Sequence, residues 1–327
     1  QPPVVAACPP IPCTPSPVPG MPIPGPSGEP GTAAPPVTGP VSAPPPGFDA
    51  AAFGGFGDGA GVGPTVGLNG YIENAVPVTM FRLRGDFAYR SNRPDRAEFF
   101  YTTIPGAPQE SVDYQELVPQ LEFAVTKRFS AFVDIPTRFL NPDISPNASG
   151  LGDVSFGFKY AFIYTDRTVV TAMLRTITPS GNPLKGLGTD NWWVEPGVLW
   201  LRQCSPRWQV FGEVRDQIPV DPQTDFTGNV LRYGLGTSYV VADGRWGYVA
   251  PVVETVGWTA LGGKELGQNV ATVDANGDTV IAGTVQDARG NTIVNLKLGV
   301  RIGLGKTDLG QAYPSRSDLY VGYGRAL

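Results

Sequence analysis

Histidine is absent from this chain of 327 residues, and cysteine occurs only three times. Without imidazole there is no Ser-His-Asp or Cys-His nucleophilic site and no His-ligated metal or haem, so an enzyme would have to work with carboxylates, Lys or Tyr. There is also no run of 18 apolar residues; that excludes a transmembrane helix and leaves a transmembrane β-barrel open. Before Arg82 no Lys or Arg occurs, whereas four acids do: Glu29, Asp49, Asp58 and Glu73. The net charge of −5 therefore comes mostly from the N-terminal region, and the remainder, with 24 bases against 25 acids, offers no basic patch for nucleic acid.

Glycine (42) and proline (35) are abundant instead, and they are unevenly placed. Eighteen of the prolines fall in residues 1–46, in runs such as Pro9-Pro10, Pro35-Pro36 and Pro44-Pro45-Pro46. Proline fixes φ and removes an N–H donor, so this stretch reads as an extended polyproline II arm. At roughly 3.1 Å per residue it could reach on the order of 140 Å. Residues 47–70 then turn glycine-rich with scattered Phe, which suits either a flexible linker or a segment lying inside a cavity. The organisation expected is thus an arm (1–46), a linker or plug (47–77) and a body (78–327). The chain begins at Gln1 with no Met, basic n-region or apolar h-region, as a secreted product would after loss of its signal peptide.

From about Val78 the dominant period is two. Leu296-Lys297-Leu298-Gly299-Val300-Arg301-Ile302-Gly303-Leu304 places an aliphatic residue at every even position and a charge or glycine at every odd one. Val154-Ser155-Phe156-Gly157-Phe158-Lys159-Tyr160-Ala161-Phe162 does the same with aromatics. Similar alternation over 78–90, 114–126, 129–140, 168–178, 191–203, 208–219, 228–242, 246–261 and 318–327 predicts about eleven strands and no amphipathic helix.

Alternation alone fits a soluble sandwich as well as a membrane barrel, and three features separate them. Many of the strands run to roughly 11–15 residues, beyond the average of about 5–6 in soluble sheets and enough for the about 9–11 of a tilted membrane strand. Connections alternate between tight turns (126–128, 165–167, 205–207, 243–245) and longer loops (91–112, 141–150, 180–190, 220–227, 262–291), the asymmetry of short periplasmic turns and long outer loops. Tryptophan falls near strand ends: Trp192, Trp193 and Trp258 toward the long loops, and Trp200, Trp208 and Trp246 toward the tight turns. All six are candidates for interfacial girdles. The fold expected is all-β: a transmembrane antiparallel up-and-down β-barrel of about twelve strands, preceded by the extended arm.

Leu151-Gly152-Asp153-Val154-Ser155-Phe156-Gly157-Phe158-Lys159-Tyr160, then Thr178-Pro179-Ser180-Gly181, then Trp193-Val194-Glu195-Pro196-Gly197 resemble the signposts of the outer-membrane barrels named after the phenol meta-degradation pathway and of related transporter-like barrels. Arg93-Pro94-Asp95-Arg96-Ala97-Glu98 and the terminal Tyr320-Val321-Gly322-Tyr323-Gly324-Arg325-Ala326-Leu327 are more like large barrel families of planctomycetes. The resemblance covers residues 78–327 and implies a bacterial outer-membrane location with the arm in the periplasm. With tight turns periplasmic, eleven strands end on the wrong side. Bacterial single-chain barrels have even strand numbers, so a twelfth strand is expected either after Leu327 or from a segment before Val78.

Assigning the aliphatic face to lipid turns the charged face inward. The expected lumen carries Arg82, Arg84, Arg138, Lys159, Arg175, Arg215, Arg232, Lys297 and Arg301 opposite Asp86, Glu116, Glu122, Asp134, Asp153, Glu195, Glu213 and Glu254. Such balance suits either a polar diffusion path or a salt-bridged lumen that only holds the barrel's shape, and no one-signed ring marks ion selectivity. Cys8 and Cys13 lie in the arm and Cys204 at a tight turn. In an oxidising compartment they are disulfide candidates, and the odd count leaves one thiol for a partner or free. Two thiolates without His do not complete a zinc site.

Other motifs are weak. Asp274-Ala275-Asn276-Gly277-Asp278 lacks the glycine placement and terminal Glu of a calcium loop, and Gly61-Val62-Gly63 and Gly186-Leu187-Gly188 lack the strand-to-helix context of nucleotide loops. No acid pair stands out as glycosidase-like. The expectation is therefore a non-enzyme needing no cofactor: an outer-membrane porin or transporter-like channel for small solutes, in contact with membrane lipid and assembled into a homo-oligomer through its arm. The alternative is a structural envelope barrel whose arm and cysteines form an array or tie the membrane to cell-wall components.

Overall fold

The structure, a computed structural model, describes residues 69–89, 112–142, 146–220, 222, 227–273, 279–305 and 317–327. The proline arm, Cys8, Cys13 and the 274–278 motif lie outside the described residues. The first strand is β1 (Met80–Ala88), followed by β2 (Val112–Thr126), β3 (Phe129–Asp134), β4 (Thr137–Pro142), β5 (Ala148–Leu151), β6 (Ser155–Tyr164), β7 (Thr168–Ile177), β8 (Trp192–Ser205) and β9 (Trp208–Val220). Next come β10 (Val230–Tyr239), β11 (Ala242–Gly244), β12 (Gly247–Ala260), β13 (Lys264–Val273), β14 (Thr279–Asp287), β15 (Thr292–Leu304) and β16 (Ser317–Ala326). Apart from one 3-10 turn at Pro183–Lys185, the regular structure among the described residues is all β.

Fourteen strands form one antiparallel sheet, and β13 and β14 form a separate hairpin. Chain order is nearly sheet order, as an up-and-down meander requires. β3 and β4 act as one stave on the same flank of β2, and β5 and β6 as the next. The breaks in these two staves lie side by side. Pro136 has no N–H to give the ladder, yet Ile135 N–H donates to the Pro119 carbonyl at 3.1 Å and Gly152 N–H to the Pro136 carbonyl at 2.8 Å, which keeps the neighbours joined. Sequence alternation ran this stave on to residue 140 and took 141–150 as loop. β5, with the sequence Ala-Ser-Gly-Leu, carries no periodic signal of its own. The β13–β14 hairpin falls inside the expected 262–291 loop. The other expected strands are present with ends shifted by a few residues, and eleven staves run from β1 to β16, the two ends of the sheet.

Burial is inverted relative to an ordinary soluble domain. Lys159, Glu213 and Glu254 are fully buried, whereas Phe81, Val321 and Tyr323 are 64, 63 and 73% exposed. Along β1 exposure alternates residue by residue, with Phe81, Leu83 and Phe87 outward and Arg82, Arg84 and Asp86 on the other face. The polar side is therefore the inside. A flat sheet could not bring polar residues of β2 and β15 onto the same ten-residue segment. Both touch Asn69–Val78, so the sheet curls around that segment.

Tyr320 shows how glycine shapes the inner wall. On β16 it faces Arg301 of β15, and its ring lies directly over Gly299, Gly322 and Gly70, where a Cβ would overlap it. Gly299→Val should expel the ring and cost about 1–3 kcal/mol, as overpacking does. Gly262→Ala, with nothing within 4 Å of a new Cβ, should stay within about 0.5 kcal/mol of the parent. Chemical unfolding midpoints of the two variants check the contrast.

Candidate functional site

Residues 69–78 precede β1 and cross the interior as a strap. Ile72, Ala75 and Val76 pack into the principal apolar cluster with Leu199, Leu201, Phe211, Val169 and Val252. These wall residues belong to the tight-turn halves of their strands, so that half of the interior is filled. Toward the long-loop ends the same face opens into a polar vestibule of about 140 Å³ floored by Tyr71 and Glu73.

The strap is held by its backbone as much as by its side chains. Gly70 and Ile72 N–H donate to Glu254 Oε1 at 2.8 and 3.3 Å, and Tyr71 N–H donates to Oε2 at 2.7 Å. Glu73 N–H donates to Glu213 Oε2 at 3.1 Å, and Val78 N–H to Glu122 Oε1 at 3.2 Å. Its carbonyls are met as well: Arg301 donates to Asn69 O and the Thr171 hydroxyl to Ala75 O.

The Glu73 carboxylate is the hub. It pairs with Lys159 Nζ at 3.0 Å and with Arg82 and Arg175 at 3.3 Å each. Lys159 also reaches Glu122 at 2.9 Å, and Ser130 donates to the other oxygen of Glu122 at 2.6 Å. From there ion pairs continue around the wall: Arg175 with Asp134 (3.4 Å) and Glu195 (3.3 Å), Arg215 with Glu195 and Glu213 (both 3.2 Å), and Arg232 with Glu213 (2.7 Å). Higher up, Arg138 pairs with Glu116 at 2.8 Å and Arg84 with Asp86 at 2.9 Å. Arg301 pairs with Asp318 at 2.8 Å. Aromatic rings share the task. Lys297 Nζ lies 3.8 Å from the Tyr71 ring centroid, Arg232 stacks on Tyr71 and Trp258, and Lys159 and Arg175 flank Phe132.

All seventeen charged residues expected on the inner face lie there, buried or half-buried. Asp153 differs in its work. Its carboxylate accepts from Gly181 N–H (2.9 Å), Thr189 N–H (2.8 Å) and the Thr189 hydroxyl (2.9 Å), which clamps the 178–191 loop to the β5–β6 junction. Ser180 completes the clamp, accepting from Val154 N–H at 2.7 Å and donating to Gly152 O at 3.0 Å. Two sequence signposts 28 residues apart thus meet at one point.

The tryptophans divide. Trp192, Trp208 and Trp246 are exposed outward, and Trp200 is half-buried on the same outer face. Trp193 and Trp258, expected at an interface, are instead buried on the inner face. Trp193 donates to the Thr189 hydroxyl at 2.8 Å, and Trp258 stacks edge-on with Tyr71. Adjacent residues in a strand point to opposite faces, so Trp192 and Trp193 cannot both face outward. Cys204 is free and exposed, and its expected partners lie outside the described residues.

Sequence reasoning held a plug over 47–77 only as an alternative to a linker, and missed the residues that anchor it. Glu73 counted only as an N-terminal acid, although the change from glycine-rich sequence to Tyr71-Ile72-Glu73-Asn74-Ala75-Val76 marks where buried structure begins. No protein-family model and no curated protein matches the chain.

Two variants probe this network. Lys159→Met leaves Glu73 and Glu122 buried without their shared cation and should cost about 3–5 kcal/mol in urea unfolding; adding Glu73→Gln should recover part of it. Asp153→Ala should release the 178–191 loop by about 2 kcal/mol, a roughly thirtyfold loss of hydrogen-exchange protection at Gly181 and Thr189 with the sheet amides unchanged.

Proposed function

We propose that this protein is a bacterial outer-membrane β-barrel of the transporter-like kind, whose charged interior gives small solutes a passive route, and that its arm lies in the periplasm. The single observation that carries the reading is the inverted burial: a largely apolar outer face, interrupted on β9 by Asp216, around an interior of buried, paired charge. In water such a surface would drive aggregation, whereas in lipid it is the stable arrangement. The outward aromatics support it. Trp192 and Tyr89 lie at the long-loop end of the exposed face and Trp208, Tyr239 and Trp246 at the tight-turn end, matching the girdles that hold a barrel at both interfaces. The resemblance of residues 78–327 to phenol meta-degradation-type barrels points the same way. No catalytic group or cofactor is needed by this reading, and assembly through the N-terminal arm fits it.

A second reading is favoured by the strap and the packed apolar half beneath it: a closed structural barrel that links envelope layers or copies of itself. Planar-bilayer recording of protein purified in mild detergent separates the two. Stable conductance steps are expected for the channel; a silent protein that runs as a reducible multimer on gels would establish the structural reading instead. The membrane assignment has its own test. Leu298, mid-strand and outward on β15, should cost about 2–4 kcal/mol as Leu298→Arg when the protein folds into lipid vesicles. Solubility without detergent, and indifference to this substitution, would overturn that assignment.

A further inference from the structure

We propose that the inner wall is a binding site for an extended peptide bearing a carboxylate, and that the strap is its resident, autoinhibitory occupant. The inference deepens the channel reading, since the occupied face is the passage that reading needs.

The wall's chemistry is that of peptide recognition. Three fully or nearly fully buried carboxylates, Glu254, Glu213 and Glu122, receive backbone N–H groups, four successive ones at 70–73 and a fifth at Val78, while Arg301 and Thr171 supply donors to backbone carbonyls on the same segment. A sugar or a simple ion offers no such spaced run of N–H and C=O groups. Among the described contacts, two side chains of the segment are met by the wall's cationic groups, whereas Asn69 and Asn74 bond to the segment's own backbone. The Glu73 carboxylate lies among Lys159, Arg82 and Arg175, and the Tyr71 ring lies among Arg84, Arg232 and Lys297. The small apolar residues between and after them fill the wall's apolar recess.

These wall groups are contributed by strands far from the strap in sequence, and their partners belong to any peptide of that pattern, not to this segment alone. A carboxylate buried without its N–H donors is costly, so the wall favours continuous occupancy. Departure of the strap becomes feasible when an equivalent peptide replaces it. The cargo class is therefore an oligopeptide presenting an aromatic residue two positions before an acidic one, in extended form.

The test uses the full chain with Cys8, Cys13 and Cys204 changed to Ser and a single reporter, Ala75→Cys, at a position 1% exposed. A charged thiol reagent measures strap release directly. The probe is a synthetic peptide of the strap's own sequence, Asn-Gly-Tyr-Ile-Glu-Asn-Ala-Val-Pro-Val. At millimolar peptide the labelling rate should rise at least tenfold, and a peptide with Gln in place of Glu should do so far less. Glu73→Gln in the protein should by itself raise labelling about tenfold. In bilayers, a variant whose residues 69–78 are replaced by a Gly-Ser run of equal length should conduct, and the peptide should close it again. Labelling that neither Glu73→Gln nor the peptide changes would overturn the inference, whatever the conductance. Peptide-driven labelling in a protein that never conducts would uphold the binding site and overturn the channel reading. If the Gly-Ser variant fails to fold, labelling of the full chain still decides.

Discussion

Buried charge cannot be left alone, and this interior is organised by that constraint. Lys159, Glu213, Glu254 and Arg215 have almost no contact with solvent, and an isolated ion in such surroundings would cost several kcal/mol even after relaxation. Each is therefore held by opposite charge or by backbone dipoles, and each partner serves more than one neighbour. Arg175 spans three carboxylates and Arg215 two. Glu254 is answered by three successive amides of the strap, without an ion pair among the described contacts. The strap is thus an electrostatic component of the wall. It brings one carboxylate to three cations and a row of N–H groups to three carboxylates.

Much of this was legible in the sequence because strands report themselves by alternation. The same period that put Leu296, Leu298 and Val300 on one face put Lys297 and Arg301 on the other, and the inner charges followed without knowledge of pairing. What alternation cannot convey is interruption and insertion. Pro136 splits a stave whose apolar period runs on undisturbed, and Ala148–Leu151 is too short to carry a period at all. The tryptophans differ from expectation for another reason. Position along a strand puts Trp193 and Trp258 at an interface, but the face to which each side chain belongs turns both inward, and the Trp192-Trp193 dipeptide already demands that one of its two rings do so.

The plug alternative could not be chosen, nor its anchors named, because the strap's partners are long-range. Nothing near Glu73 in sequence announces Lys159 or Arg175, and a ten-residue segment with both polar and apolar neighbours has no face of its own to display. The Gly152-Asp153 and Thr178-Pro179-Ser180-Gly181 signposts are the instructive counterpart. They read as separate marks along the chain, and in the structure they are two halves of one hydrogen-bonded clamp. A motif's physical meaning here lies in what it closes on.

The position of the strap at the start of the body has a consequence for the order of assembly. Its polar contacts with the wall span sequence separations from 9 residues, at Arg82, to 232, at Arg301, and the Tyr320 ring over Gly70 comes from still further along the chain. As the chain is synthesised, the strap emerges before any of the staves that surround it, yet its attachment cannot be complete until β16 is in place. Non-local pairing of this kind folds slowly, because loop-closure entropy is spent before the contact is gained. The segment that is made first is the one whose full docking must come near the end, so its seating in the wall registers that a nearly complete sheet has formed around it.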